Sequence, residues 1–434
     1  MTPVTLAVVG AGNRGSAHGG WALTQPDRAR VVAVAEPREL RRGRFAARHG
    51  IPAGATFTSW QELAARGRVA DGVLICTQDA AHAKPAIAFA KLGYHVLLEK
   101  PMATTEAGCR RIVEAVERAG VIFAVCHVLR YTPYTALVKR VVDEGRIGEV
   151  LCVQHLEPVG FAHHAHSYVR GAWRRQGAAA FMLLAKSCHD LDWLRYVVGR
   201  PIRRVASFGG LSHFRPEHRP EGAADRCLDC AVEPTCPYSA VRFYSRFLDR
   251  GVDWEGDHWP LDAVMDRYTE ADLRAALRDG PYGRCVYACD NNVVDHQVVA
   301  MEFDGGPTGT FVMTAFNAGG HRRTRLFGTR GELEGDGETV RVHDFLTGSD
   351  QVLSADTPGD ATAGGGHGGG DWGLMDAFVR AVATGDRSHV LTGPRESLEA
   401  HLAVFAAERA RREGVVATVA MDAAAPPEDT AARR

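Results

Sequence analysis

Apolar runs rich in β-branched residues alternate with amphipathic segments through residues 1–126 of the chain. The segments between the runs show helical periodicity over about ten to fifteen residues. Short apolar strands that alternate with helices are typical of a parallel, doubly wound α/β sheet. The pattern therefore predicts an N-terminal α/β domain over residues 1–126, with its ligand at the carboxyl ends of the strands. The predicted strands are TLAVVG, VVAVAE, GVLICT, HVLLEK and VIFAVC.

The pattern becomes more mixed after Arg130. One helical segment, YTALVKRVVDEG, is followed by strand-like runs at EVLCVQHLE, VVAMEF, GTFVMTAF and RTRLFG. This mixture predicts a second, α+β domain over residues 127–420, built on an open and mainly antiparallel sheet. A polar, cysteine-rich insertion is expected at about residues 212–289, and the Pro- and Ala-rich residues 421–434 are expected to be a disordered tail.

Length and charge narrow the classes of function. A chain of 434 residues exceeds the size of one hydrophobic core, which supports two domains. With 51 basic and 52 acidic residues, the chain has no overall field that attracts nucleic acid or an anionic membrane. The apolar runs are too short to span a bilayer, and the N-terminus lacks the basic start of a signal peptide. We expect a cytoplasmic protein with a small-molecule partner and no nucleic-acid or membrane partner.

The run GAGNRG directly follows the first strand and opens a helix. Gly10 permits a tight turn, Gly12 allows a pyrophosphate to approach the backbone, and Gly15 allows the helix to pack closely on the strand. Glu36 ends the second strand, where an acid binds the ribose hydroxyls of a dinucleotide. This pattern predicts a Rossmann domain that binds NAD, the alternative being a purely structural turn. NADP is disfavoured because a carboxylate repels its 2′-phosphate, although Arg38 could pair with that phosphate.

Seven motifs in order along the chain give a family resemblance. They include GAGNRG, DGVLICTQDAAHAKPAIAFAKLGYHVLLEKP, RYTPYTALVKRVVDEGRIGEV, SCHDLDWL and HGGGDWGLMDAFVRAV. Together they resemble the glucose-fructose oxidoreductase, inositol dehydrogenase and MocA family, known as Gfo/Idh/MocA. The resemblance implies a Rossmann domain, an open-sheet second domain, and NAD(P)-dependent oxidation or reduction of a sugar or polyol hydroxyl. It also implies a homodimer or homotetramer.

The resemblance makes Glu99, Lys100 and Pro101 the family's E-K-P motif, whose lysine lies beside the nicotinamide and the substrate. A lysine there can hydrogen-bond the reacting hydroxyl and relay its proton. His82 lies in a loop that lines the nicotinamide end in the family, the alternative being a solvated helix start. The predicted cofactor-binding residues are Gly10, Gly12, Asn13, Arg14, Gly15, Glu36, Arg38, Thr77, His82, Glu99 and Lys100.

The stretch LLAKSCHDLDW places polar residues directly after an apolar run. Ser187 followed three residues later by Asp190 matches a helix N-cap, which predicts that the helix starts here. His189 would then lie in the first turn, where the positive helix end favours a neutral imidazole that can accept a proton. Asp192 could orient His189 or be solvated.

One position departs from the family pattern. The family usually has Asp-x-x-x-His here, but Ala185 occupies the aspartate position before His189, and Lys186 follows it. We expect Lys186 to take over part of the substrate contact, the alternative being a lysine that points to water. The predicted catalytic residues are Lys100, His189 and Lys186.

The loop HLEPVGFAHHAHSYVRGAWRR combines aromatic rings with guanidinium groups. Aromatic faces and fork-shaped donors suit a hydroxylated or anionic substrate. The alternative is that the same residues form an exposed polar loop. The predicted substrate-binding residues are His127, Arg130, His166, Tyr168, Arg170, Trp173, Arg174, Asp190 and His367.

Cysteines cluster in the insertion. Cys227, Cys230 and Cys236 lie close together in sequence, and Cys285 and Cys289 follow further on. Three cysteines close together in sequence and a fourth much further along the chain have the spacing of a structural zinc site. Cys285 is the preferred fourth ligand; an iron–sulfur cluster or free thiols are the alternatives.

These features predict an NAD-dependent oxidoreductase that acts on a secondary hydroxyl of a sugar, polyol or glycoside. An NAD-dependent glycosidase, which oxidises the sugar transiently and eliminates the aglycone, is the nearest rival. A noncatalytic NAD-binding sensor is the alternative from a different class.

Overall fold

A computed structural model of the chain describes residues 2–249, 259–355 and 367–421. The predicted tail therefore lies outside the described residues, apart from Met421. Two sheets organise the fold, one in the N-terminal part and one in the C-terminal part.

The first sheet has six parallel strands in the order β3-β2-β1-β4-β5-β6. Helices connect the strands, as the alternating pattern predicts. The strand order reverses between β1 and β4, and a ligand binds at this reversal in doubly wound sheets. The strands are β1 (Val4–Val9), β2 (Ala29–Ala35), β3 (Thr56–Phe57), β4 (Gly72–Ile75), β5 (His95–Leu98) and β6 (Phe123–Val125), and the helices are α1 (Asn13–Thr24), α2 (Glu39–His49), α3 (Trp60–Ala64), α4 (Ala83–Lys91) and α5 (Glu106–Ala119).

The second sheet has nine strands in the order β14-β13-β12-β11-β7-β10-β9-β8-β15, and only the β7–β10 pair is parallel. The predicted fold class, a Rossmann sheet plus a mainly antiparallel open sheet, is therefore confirmed. The strands are β7 (Val150–Pro158), β8 (Ile202–Gly210), β9 (His296–Phe303), β10 (Thr308–Thr314), β11 (Arg323–Gly328), β12 (Gly331–Gly335), β13 (Thr339–Asp344), β14 (Asp350–Ser354) and β15 (Ala417–Thr418), and the helices are α6 (Pro133–Asp143), α7 (Phe161–His164), α8 (Met182–Val198), α9 (Ala240–Asp249), α10 (Leu261–Val264), α11 (Glu270–Asp279), α12 (Gly370–Thr384) and α13 (Pro394–Glu413).

Helix α12 returns from the C-terminal part of the chain to the first sheet. Its Leu374 and Phe378 are fully buried in the apolar cluster that contains Leu6 and Leu74. The three described residues directly before α12, 367–369, are thereby held beside the carboxyl edge of the Rossmann sheet.

Helix α8 corrects the predicted helix start. It begins at Met182, with Phe181 as its N-cap, so Ser187 lies inside the helix and caps nothing. His189 lies about two turns into the helix, which removes the argument from the positive helix end. The apolar run and the polar stretch form one helix, in which Leu183, Leu184, Ser187 and Asp190 are all fully buried.

No helix among the described residues is both long and apolar enough to cross a membrane.

Candidate active site

The glycine loop has the geometry that a dinucleotide requires. Gly10 has a φ of +92°, and a Cβ there would lie 2.5 Å from the carbonyl oxygen of Cys76. A Cβ on Gly15 would overlap the carbonyl of Gly10, so the helix and the turn can approach only without side chains. At Gly12, by contrast, the nearest protein atom would be 3.7 Å away, on Arg41. Space is therefore open where a pyrophosphate would meet the first turn of α1.

Glu36 braces this loop. Its carboxylate is buried and accepts hydrogen bonds from the backbone N–H of Ala11 and of Arg38, both at 2.9 Å. The Arg38 side chain is exposed to solvent. A carboxylate therefore lies at the end of β2 beside the glycine loop, as the fingerprint predicts.

Glu99 is the centre of a buried ionic network at the same edge. It accepts hydrogen bonds from Arg14 Nε at 2.7 Å and from His18 Nε2 at 2.9 Å. Arg14 also pairs with Asp371 at the start of α12, which contacts His367 Nδ1 at 3.1 Å. Despite the opposing effect of burial, Arg14 and His18 hold the pKa of Glu99 well below its usual value. The network joins α1, the end of β5 and α12 around the predicted nicotinamide end.

Lys100 extends from this edge to the second sheet's helices. Its backbone N–H donates to the Glu99 carboxylate, and its Nζ donates to the carbonyl oxygen of Ala185 on α8 at 2.7 Å. The backbone of Ala185 thus contacts the lysine at the position where the family usually has an aspartate. His82 is held between two carbonyl oxygens, 2.7 Å from that of Pro101 and 3.0 Å from that of Thr77. His82 therefore fixes the E-K-P turn.

His189 is 4% exposed, and its Nδ1 has no hydrogen-bond partner. Its ring lies 5.9 Å from the His127 ring and 5.9 Å from the His367 ring. Burial, followed by the charge of Lys100 and the two histidines, lowers the pKa of His189 well below its usual value. The imidazole is consequently neutral at physiological pH and keeps a free ring nitrogen.

Lys186 belongs to a chain of alternating charges. Its Nζ lies 3.1 Å from Glu157 Oε1, and Glu157 Oε2 lies 2.9 Å from Arg322. Arg322 also pairs with Asp190, whose carboxylate lies 3.2 Å from His155 Nε2. Asp190 is thus an ion-pair partner and not a helix cap.

Sequence reasoning missed Glu157 and Arg322. Glu157 is 4% exposed inside a strand, and a buried acid in a β-strand was the one available signal. Arg322 lies in the turn before β11, and nothing local distinguishes it from the arginines beside it.

An open cleft lies beside this chain of charges. Lys186, Arg322 and Glu157 form its polar side, while Phe243 and Trp259 from the insertion contribute aromatic rings. His163 also lines the cleft, and burial followed by the charge of Lys186 lowers its pKa well below the usual value. The cleft thus combines cationic donors, a carboxylate, a neutral histidine and apolar ring faces.

Two predicted substrate-binding residues are engaged elsewhere. Arg130 makes two 2.7 Å hydrogen bonds to Asp192 and a third to the carbonyl of Leu391. His127 Nδ1 lies 2.9 Å from the same carboxylate, and its ring stacks on His401. Asp192 therefore anchors the start of the second domain and does not orient His189.

The predicted loop residues divide into two groups. Trp173 Nε1 donates to Asp79 at 3.0 Å and so ties the loop to the carboxyl edge of the Rossmann sheet. Tyr168 is buried close to Trp173, and burial raises the pKa of its hydroxyl well above the usual value.

His166, Arg170 and Arg174 face the insertion. His166 Nδ1 lies 2.7 Å from Tyr244 Oη, and Arg170 donates to the carbonyls of Tyr238 and Arg284. Arg174 pairs with Asp290 at 2.8 Å. In this structure these bonds connect the loop with the insertion and with Asp290 directly after it.

Four cysteines of the insertion meet at one place. Cys227, Cys230, Cys236 and Cys285 all line one small cavity. Cys289 instead directs its thiol to the carbonyl oxygen of Cys285, at 3.2 Å.

Comparison with known proteins finds a family match for each of the two parts of the chain. The family profile described as the oxidoreductase family, NAD-binding Rossmann fold, matches residues 4–127. The profile described as the C-terminal alpha/beta domain of the same oxidoreductase family matches residues 139–421. The chain belongs to the Gfo/Idh/MocA oxidoreductase family. The resemblance drawn from the motifs is therefore confirmed, together with an NAD-binding Rossmann domain.

Individual members of the Gfo/Idh/MocA family are similar to this chain to different degrees. A 1,5-anhydro-D-fructose reductase from Ensifer adhaerens is 31% identical over 84% of this chain and 92% of that protein. A 2,7-anhydro-N-acetylneuraminate hydratase from Escherichia coli is 26% identical over 49% of this chain and 53% of that protein. The crystal structure of an oxidoreductase domain protein from Kribbella flavida has a TM-score of 0.71 at 20% identity, covering 97% of this chain and 100% of the other. That structure supports the fold alone.

Replacing Gly12 tests the cofactor site. Gly12→Ala is expected to weaken NADH binding about tenfold or more, because a methyl group fills the space of the pyrophosphate. The fold should persist, since the nearest protein atom would lie 3.7 Å from the new Cβ. Gly20→Ala in the same helix is the matched control, because no atom lies within 4 Å of its new Cβ. Fluorescence titration with NADH measures both; an unchanged affinity in Gly12→Ala would contradict this cofactor position.

Proposed function

We propose that the chain is an NAD-dependent oxidoreductase that moves a hydride between the nicotinamide and a secondary carbinol carbon of a sugar, polyol or glycoside. The position of Lys100 carries this proposal. Its Nζ reaches from the E-K-P turn at the Rossmann edge to the Ala185 carbonyl on α8, one residue before cleft-lining Lys186. A primary amine is thereby held between the cofactor edge and the cleft.

The proposed catalytic residues are Lys100, His189 and Lys186. Bound NAD supplies the hydride acceptor, or as NADH the donor. Lys100 takes the hydroxyl proton during oxidation and returns it during reduction. His189 is neutral and has a free nitrogen, so it can relay that proton, while Lys186 donates a hydrogen bond to a substrate hydroxyl.

NAD is proposed over NADP because of Glu36. Its buried carboxylate lies beside the glycine loop, where it would repel a 2′-phosphate. The exposed Arg38 makes a bond to Glu36 through its backbone only. Glu36 therefore outweighs Arg38 in this choice.

A carbohydrate suits the polar side of the cleft. Lys186 and Arg322 offer donors, and Glu157 between them offers acceptor oxygens. Sugar hydroxyls both donate and accept, so alternating charges can satisfy neighbouring hydroxyls. His367, tied to Asp371 beside the His189 ring, is the proposed substrate contact on the cofactor side.

A homodimer or homotetramer in the cytoplasm completes the proposal. The second sheet leaves apolar side chains exposed on adjacent strands: Phe208 is 72% and Val298 is 37% exposed, and these residues are paired across β8 and β9. Such a sheet face suits burial against a second copy.

We also propose a structural zinc ion on Cys227, Cys230, Cys236 and Cys285. Four thiols that line one cavity match the soft, tetrahedral ligand set of zinc. Burial raises the pKa of the Cys236 and Cys285 thiols, and a bound cation would reverse this by stabilising thiolates. No three of these sulfurs lie within 4.8 Å of one another in the described structure. Zinc binding would therefore require the four sulfurs to move closer together.

A second reaction is favoured by His163. It is a neutral histidine in the cleft and could act as a base in addition to Lys100. Transient oxidation followed by removal of an adjacent proton and elimination of a leaving group needs two such bases. The similarity to a hydratase of an anhydro sugar is consistent with this second reaction, in which an NAD-dependent glycosidase eliminates the leaving group after transient oxidation.

Turnover assays separate these reactions. The protein is mixed with NAD and a panel of sugars, inositols and aryl glycosides, and both NADH and released aglycone are followed. Net NADH is expected for a dehydrogenase, whereas aglycone without net NADH indicates the elimination route. Lys100→Met should lower kcat about 100- to 10,000-fold while NADH binding persists. Lys91→Met, on the exposed end of α4, is the control; silence in both assays with NAD bound would contradict both reactions.

Metal analysis tests the zinc site. The purified protein is expected to hold one zinc ion per chain, and Cys227→Ser should lose it because three thiolates hold zinc more weakly than four. Cys152→Ser on β7 should keep it. Mass-spectrometric metal analysis after zinc reconstitution gives the result; a chain without zinc, or with iron in its place, would overturn the assignment.

A further inference from the structure

Two small apolar clusters pack within and against the insertion between β8 and β9, and one of them includes Ala165, Val169 and Ala315 from outside it. One cluster gathers Tyr244, Leu273 and Leu277 with Cys227. A second cluster contains Cys285. Each cluster is separate from the two larger cores of the molecule, and so small a core supplies little stability alone. The four-cysteine cavity lies where these two clusters meet.

The insertion also forms part of the cleft. Phe243 on α9 and Trp259 just before α10 line it together with Lys186 and Arg322. Their rings lie 6.4 Å apart at 76° and belong to the aromatic group around His163 and His166. Ring faces of this kind cover the C–H face of a sugar, whereas the charged side of the cleft contacts its hydroxyls. We call Phe243 and Trp259 the aromatic wall.

Contacts connect the aromatic wall to the cysteines. Helix α9 begins four residues after Cys236, and Arg170 donates to the Tyr238 carbonyl in that connection at 2.7 Å. The same guanidinium lies 3.6 Å from Cys227 Sγ. The residue after Phe243, Tyr244, bonds His166 through its hydroxyl. The start of α9 is therefore fixed from the side of the cysteine cavity.

Cys285 is brought to the other three cysteines by a short backbone pairing. Arg226 and Arg284 form an isolated antiparallel bridge, and the N–H of Cys285 donates to the Asp225 carbonyl at 2.8 Å. The Arg226 side chain adds bonds to the carbonyl oxygens of Leu277 and Gly280, so side-chain contacts reinforce this bridge. A four-coordinate ion would cross-link segments that are about fifty residues apart, and such a cross-link stabilises by restricting the unfolded chain.

We infer that metal binding by Cys227, Cys230, Cys236 and Cys285 positions the aromatic wall, so that the metal sets the affinity for the sugar and not the affinity for NAD. This inference rests on the proposed zinc site and carbohydrate activity. The glycine loop belongs to the Rossmann core, which has no share in the insertion's clusters. Metal loss should consequently spare the cofactor site.

Hydrogen–deuterium exchange of the full chain tests the structural part without any substrate. Zinc-loaded protein is compared with protein stripped by a chelator. Amides of α9 are expected to exchange about tenfold faster or more after stripping, while those of β1 stay unchanged, because only the first depend on the cross-link. Equal exchange of α9 in both forms would overturn the inference.

Kinetics test the functional part. Phe243→Ala is expected to raise KM for the best sugar about tenfold, with zinc content retained and NADH affinity within about threefold. Stripping the zinc should raise KM in the same way. Phe345→Ala, an exposed phenylalanine after β13, is the matched control.

The outcomes separate the linked proposals. If zinc binds but neither α9 exchange nor KM responds to its removal, the inference fails and the zinc site stands. If no metal binds, both fail. If no carbohydrate turns over, the proposed function fails, and α9 exchange alone decides whether the metal organises the aromatic wall.

Discussion

The buried carboxylate of Glu99 accepts bonds from Arg14, from His18 and from the backbone of Lys100, and these bonds join parts of the chain far apart in sequence. Arg14 then reaches Asp371 at the start of α12. An unpaired carboxylate in such a place would cost several kcal/mol, so the partners must arrive together. The glycine loop, the E-K-P turn and the segment with His367 are therefore positioned by one electrostatic requirement.

This network also has a pH signature. The pKa values of Glu99 and Asp371 are both held low by Arg14, against the effect of burial. Their contribution to stability is thus fully present above the unfolded carboxyl pKa of about 4 and is lost as the pH falls below it. The cofactor edge should be sensitive to acid. The lowered pKa of His189 adds to this loss from the ordinary histidine pKa downward, because the unfolded chain then takes up a proton that the buried imidazole does not.

Local patterns allowed the fold and the cofactor edge to be predicted. Short apolar runs between segments of helical periodicity predicted the Rossmann strands, and the glycines and Glu36 could be placed because their roles depend on neighbours in the chain. The start of α8 was missed because its residues are buried on all sides, which removes the amphipathic signal. The partners of Lys186 and Asp190 could not be found either, since Glu157 on β7 and Arg322 before β11 are distant from them in sequence. The sequence predicts a substrate contact for Arg130 because nothing near it in the chain reveals that its guanidinium pairs with Asp192.

The central claim is that Arg14 and Glu99 act as a unit in shaping the cofactor edge. A double-mutant cycle of Arg14→Met and Glu99→Gln, read as NADH dissociation constants, tests this most directly. The account predicts that each single variant binds NADH about tenfold more weakly than the unchanged protein. The double variant should bind NADH no more weakly than the poorer-binding single variant does. Losses that simply multiply in the double variant would contradict it.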